Sequence, residues 1–115
     1  MKFLEKLHSS NKTCLIYDRD TLVFESVKRG VQPLIDFISF NDDIDKEYIL
    51  VDKIIGRGAV ILAKLIGVTE IHTPIISQDA LELALEYNIL PSNVHREVDC
   101  RKHVIFMFPL LSPLL

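Results

Sequence analysis

The sequence predicts an α/β protein, a three-layer α/β/α sandwich whose mixed sheet begins with a β-hairpin. Three observations carry that expectation. Two β-rich runs, residues 13–17 and 21–24, are separated only by Asp18-Arg19-Asp20. From Tyr48 onward, strand-like and helix-like runs alternate at the spacing of βαβ units. Residues 59–66 are apolar nearly all round and stop at Gly67, as a deeply buried helix would.

Length and composition agree. The chain has 115 residues, 49% of them hydrophobic and 25% charged, with a formal net charge of −3. That fits one domain over residues 1–115, able to bury about two-thirds of its unfolded surface without a metal or disulfide to staple it. The pI of 5.7 argues against a nucleic-acid footprint. Cys14 and Cys100 form no C-x-x-C pair, and Glu5 and Lys6 interrupt any signal-peptide core. No apolar run approaches the ~20 residues that span a bilayer. The expectation is a cytoplasmic protein with no membrane or nucleic-acid partner and no cofactor.

In order, residues 2–9 read as a short amphipathic helix through Phe3, Leu4 and Leu7. The hairpin follows. Its loop lacks glycine, so an aspartate is expected to take the left-handed position. Val31, Leu34, Ile35 and Ile38 then form one helical stripe, with Pro33 in the first turn. Residues 41–47 are an acidic connection, and residues 48–51 a buried strand. After the helix ending at Gly67, residues 70–74 read as a strand stopped by Pro74. Ser77 caps a helix over residues 78–88, with Ala80, Leu81, Ala84 and Leu85 inward. Residues 93–100 are a last strand. The tail, residues 104–115, is so apolar that it is expected to pack on the domain or on a second copy, giving a homodimer.

Three phrases carry a resemblance: Phe24-Glu25-Ser26 with Arg29-Gly30-Val31-Gln32-Pro33-Leu34, then Val51-Asp52-Lys53-Ile54-Ile55-Gly56-Arg57-Gly58-Ala59, then Ile75-Ile76-Ser77-Gln78-Asp79-Ala80-Leu81-Glu82. Over residues 13–100 the chain resembles a small prokaryotic family of domains of unknown function with a cytidine-deaminase-like fold that lacks the zinc motif. Zinc deaminases place H-x-E and P-C-x-x-C at two neighbouring helix starts. The corresponding stretches here begin at Glu25 and at Asp52 and offer neither thiolate nor imidazole, so zinc-dependent deamination is not expected. The resemblance also implies a C-terminal Met-Cys-Pro in relatives, where this chain has Met107-Phe108-Pro109.

The resemblance implies that those two helix starts meet beyond the strand ends, where open α/β sheets bind ligands. Helix N–H groups favour an anion. Arg29, Lys53 and Arg57 add positive charge, and Gly30, Gly56 and Gly58 leave room. Asp52 and Glu25 are the candidate acid/base groups. The expected ligand is small and phosphorylated or nucleotide-like. The bland alternative is a set of structural ion pairs among the same residues, leaving an inert interaction module. A weaker alternative is a metal-dependent hydrolase using His95, Glu97, Cys100 and His103, whose side chains are all zinc ligands. His72 reads as a structural histidine with no acidic neighbour, and Cys14 as inert core.

Overall fold

The computed structural model describes residues 3–41, 46–92, 96–99 and 104–107. β1 (Cys14–Asp18) and β2 (Thr21–Ser26) form the antiparallel hairpin, with a bulge between Ile16 and Tyr17. Its two-residue turn places Arg19, not an aspartate, at φ 60°. The turn's backbone demands that conformation, and a solvated side chain adopts it at a cost of about 1–2 kcal/mol.

β3 (Tyr48–Asp52) pairs antiparallel with β1 and parallel with β5 (Val68–His72), and β5 pairs parallel with β7 (Leu90–Ser92). The strand order is β2-β1-β3-β5-β7. β3 breaks at Lys53 and β5 at Thr73-Pro74, and each resumes. β4 (Ile54–Ile55), β6 (Ile75–Ser77) and β8 (Arg96–Asp99) form a second ladder, closed by antiparallel β9 (Val104–Met107). The sequence reading missed β4, β6 and β7, because strands of two or three residues leave no period to detect. It also started β5 two residues late. The first four residues of the apolar tail are β9. Residues 108–115 lie outside the described residues, and so does the packing expected of them.

Helices lie on both faces of the sheet. Alternation along β1 and β3 sends Cys14, Ile16, Tyr48 and Leu50 to one face and Leu15, Tyr17 and Val51 to the other. α1 (Phe3–Ser10) covers the second face through Phe3 and Leu7. α2 (Gln32–Phe40), α3 (Arg57–Ile66) and α4 (Gln78–Glu86) cover the first and complete the main core. Ser77 Oγ accepts a hydrogen bond from Ala80 N, capping α4 as expected. Gly67 ends α3 at φ 100°, where a Cβ would stand 2.9 Å from the Lys46 carbonyl oxygen.

The inward stripes differ from the expected ones. α2 buries Pro33, Leu34 and Phe37, leaving Ile35 and Ile38 each 42% exposed. Aromatic packing explains this rotation, since Phe37 sits 5.3 Å from both the Phe24 and Tyr48 ring centres. α3 is not deeply buried all round. Ala59, Val60, Ala63 and Ile66 face the sheet, while Ile61 is 41% and Leu65 72% exposed. On α4 it is Leu83 that joins Ala80 and Ala84 inside, and Leu85 is 58% exposed.

Candidate functional site

Strand register decides which candidate residues meet. Cys14 pairs with Ser26 on one side and with Asp52 on the other, so these three form a cross-strand row on the α2–α4 face. Glu25 pairs with Leu15, one residue out of step, and lies on the α1 face. The structure therefore does not bring together Asp52 and Glu25, the two candidate acid/base groups: they lie on opposite faces of the sheet. Glu25 is held instead by Lys12, with Nζ 3.2 Å from Oε1.

Asp52 ends the central strand, only 8% exposed. Its Oδ1 accepts hydrogen bonds from Lys53 N at 2.7 Å and Ile54 N at 3.5 Å. These N–H groups are free because β3 breaks at Lys53. Burial pushes the carboxyl up to about 7, the two backbone N–H groups and the Lys53 charge resisting. Cys14 opposite is fully buried, its thiol raised by burial first and by the nearby Asp52 charge second. It is inert core, as expected. Thr73 follows His72 as Asp52 follows Val51 and is fully buried; its hydroxyl donates to the Ile75 carbonyl.

The two helix starts do approach one another. A Cβ on Gly58 would stand 3.6 Å from Val31 Cγ1, at the entry to α2. Neither Val31 nor Gly56, the residues before the two helices, makes a side-chain capping bond. Gly30 adopts φ 64°, which favours glycine. Gly56 adopts an ordinary φ of −107° with open space where a Cβ would project, so the fold does not require glycine there. Arg29, Lys53 and Arg57 are exposed, and none forms an ion pair among the described residues. The alternative of structural ion pairs among these cations, Glu25 and Asp52 is thus not what the described residues show.

An open hollow of about 760 Å³, lined by Asp18, Arg19, Asp20, Thr21, Lys46 and Glu47, lies at the opposite end of β3 from Asp52. Among the described residues its lining is Thr21 and surface charges alone.

His72 has an acidic partner after all. Glu70, two residues earlier on the same strand face, pairs through Oε2 with His72 Nε2, and the Phe3 ring lies 4.8 Å from the imidazole. The sequence signal was the i, i+2 spacing. Among the metal candidates, His95, Cys100 and His103 lie outside the described residues, and Glu97 lies on β8. Among the described residues no group of three or more His, Cys, Asp or Glu is arranged to hold a metal ion. No helix there is long and apolar enough to cross a membrane. Sequence reasoning missed the row formed by Ser26, Cys14 and Asp52, although hairpin parity carried it.

No curated protein matches the chain. A solved structure from Thermotoga maritima, a DUF1893 family protein (TM1506) at 2.70 Å resolution, is similar, with a TM-score of 0.67 and 25% identity over 76% of this chain. The match spans 58% of that longer relative. The profile of the TM1506 domain-of-unknown-function family (DUF1893) matches residues 2–98. The chain therefore belongs to the DUF1893 family.

Proposed function

We propose that the domain binds a small phosphorylated or nucleotide-like ligand between the starts of α2 and α3, in a frame of cytidine-deaminase-like type that works without zinc. The observation that carries this reading is the coincidence, at one sheet edge, of two adjoining uncapped helix starts with three cations that have no ion-pair partner among the described residues. Phosphate oxygens satisfy such N–H groups and cations together. The open space over Gly56 lets a ligand approach the backbone closely.

Asp52 supports the nucleotide-like part. A carboxyl that titrates near neutrality both donates and accepts hydrogen bonds, as reading a base edge or moving a proton requires. If the domain catalyses, Asp52 is the acid/base group, with Lys53, Arg57 and the helix N–H groups as the anion site.

The test is a thermal-shift screen against nucleotides, sugar phosphates and inorganic phosphate. A ligand at 100 times its dissociation constant stabilises by about 2.7 kcal/mol, a rise of roughly ten degrees for a domain of this size. Lys53→Ala and Arg57→Ala should each abolish the response while leaving the unliganded midpoint within about two degrees. A flat screen, or a response that both variants retain, overturns the reading.

A further inference from the structure

We infer that the open edge of β2 is a docking groove for residues 108–115 of a second copy of this chain, which add there as one more strand. β2 ends the sheet order and, among the described residues, pairs only with β1. Edge strands are ordinarily guarded by lysine or proline. β2 has neither, and its single charge, Glu25, is tied to Lys12. A hollow of about 460 Å³ follows this edge, lined by residues 24–28 and, across it on α2, by Asp36, Ser39 and Phe40. Among the described residues none of β1 lines it, so the hollow lies outboard of β2. Its walls are apolar where they are most open: Phe40 is 71% and Val27 63% exposed, and the Phe24 ring lies 6.2 Å from that of Phe40. A strand lying between an edge strand and a helix is a recurring mode of peptide recognition.

Charge and reach say what fills it. Among the described residues, the four charged side chains at the hollow are paired with one another, Lys12 with Glu25 at 3.2 Å and Lys28 with Asp36 at 2.8 Å. An uncharged occupant leaves both pairs intact, and a charged one competes with them. Residues 108–115, Phe-Pro-Leu-Leu-Ser-Pro-Leu-Leu, carry no charged side chain and are too apolar to be left in water. Pro109 and Pro113 are four apart, so in an extended strand both missing N–H groups fall on one edge. Leu110, Ser112 and Leu114 then offer theirs on the other, toward β2. Leu110 and Leu114 go to one face and Leu111 and Leu115 to the opposite one, so either orientation sets a leucine pair beside Phe24 and Phe40. The chain's own tail cannot reach. β9 lies three strands from β4, which continues β3, and β3 lies two from β2, a separation of about 24 Å. With six of residues 108–115 laid along β2, two remain to cross it, spanning about 7 Å. The groove of a second copy has no such restriction, and two chains exchanging tails close a two-fold dimer.

The experiment is sedimentation equilibrium of the full chain from tens to hundreds of micromolar, with circular dichroism to check that each variant folds. The native chain should dimerise. Phe40→Asp and Val27→Asp in the groove, and Leu111→Asp combined with Leu114→Asp in the tail, should each weaken the dimer at least about tenfold. Ser112→Pro should do the same by removing an N–H from the bonding edge, while Ser112→Ala should not. A groove variant mixed with the tail variant regains one of the two exchanged contacts, so the mixture should associate more than either alone. A monomeric native chain, a dimer that the groove or the tail variants leave intact, Ser112→Pro behaving as Ser112→Ala, or a mixture no better than its parts each overturns the inference. None of these residues belongs to the proposed ligand site, so loss of the dimer and loss of ligand binding are separate results.

Discussion

Replacing Asp52 with asparagine isolates one buried charge. The rise from an ordinary 3.8 to about 7 means that the native state holds the proton about a thousandfold more tightly than the unfolded chain. At 1.36 kcal/mol per tenfold step, the ionised carboxylate costs the native state about 4 kcal/mol above pH 7. Below about pH 4 both states are protonated and the cost vanishes. Stability assignable to Asp52 therefore falls as pH rises from about 4 to 7 and is level above that. Asparagine keeps an acceptor oxygen for Lys53 N and Ile54 N but never ionises. Urea midpoints of native chain and variant, measured from pH 4.5 to 8.5, give the difference directly. Contributions common to both cancel, including Asp36, whose carboxyl is lowered by its hydrogen bonds to Lys28 and Gln32 and which favours folding at higher pH. The variant should gain about 3–4 kcal/mol on the native chain across the range, nearly all of it by pH 7. Two parallel profiles would show that the carboxyl is not forced toward neutrality, and the acid/base role given to Asp52 would fall with it.

Gly67→Ala should cost at least about 2 kcal/mol in a denaturant titration, since it meets both the left-handed backbone and the Lys46 carbonyl oxygen at 2.9 Å. Cys14 should resist a thiol reagent at pH 8 in the native chain and react fully in urea, as a buried thiol beside a carboxylate does; rapid native labelling would contradict its placement. Gly56→Ser should raise the thermal midpoint slightly by capping α3. The new hydroxyl should also weaken binding of any phosphorylated ligand by occupying the N–H groups it needs, which calorimetry would read.

The hairpin, the four helices and the buried central strand were legible because each rests on a local signal: a β-rich pair, a stripe, a cap, a terminal glycine. Helix rotation was less legible. Period alone says that α2 and α4 have apolar stripes but not which residues meet the sheet, and Phe37 and Leu83 took places that Ile35 and Leu85 also suited. α3 misled in the same way, because an apolar residue on every side reads as burial when one side is an open face. At the site, the chemistry was legible but its geometry was not. Glu25 and Asp52 looked equivalent as acids, and only strand parity, fixed by Cys14 against Ser26 and Asp52, divides them. The partner of His72 was two residues away and was overlooked.

The matching breaks after β3 and after β5 have one more consequence. Lys53 and Thr73-Pro74 draw a crease across the sheet between β3 and β4 and between β5 and β6, and Asp52 and Thr73 stand on it. The ladders on either side keep their own pairing whatever occupies the crease. Exchange of Lys53 or Pro74 breaks no ladder pair, so side-chain chemistry on this line can change while the architecture stays.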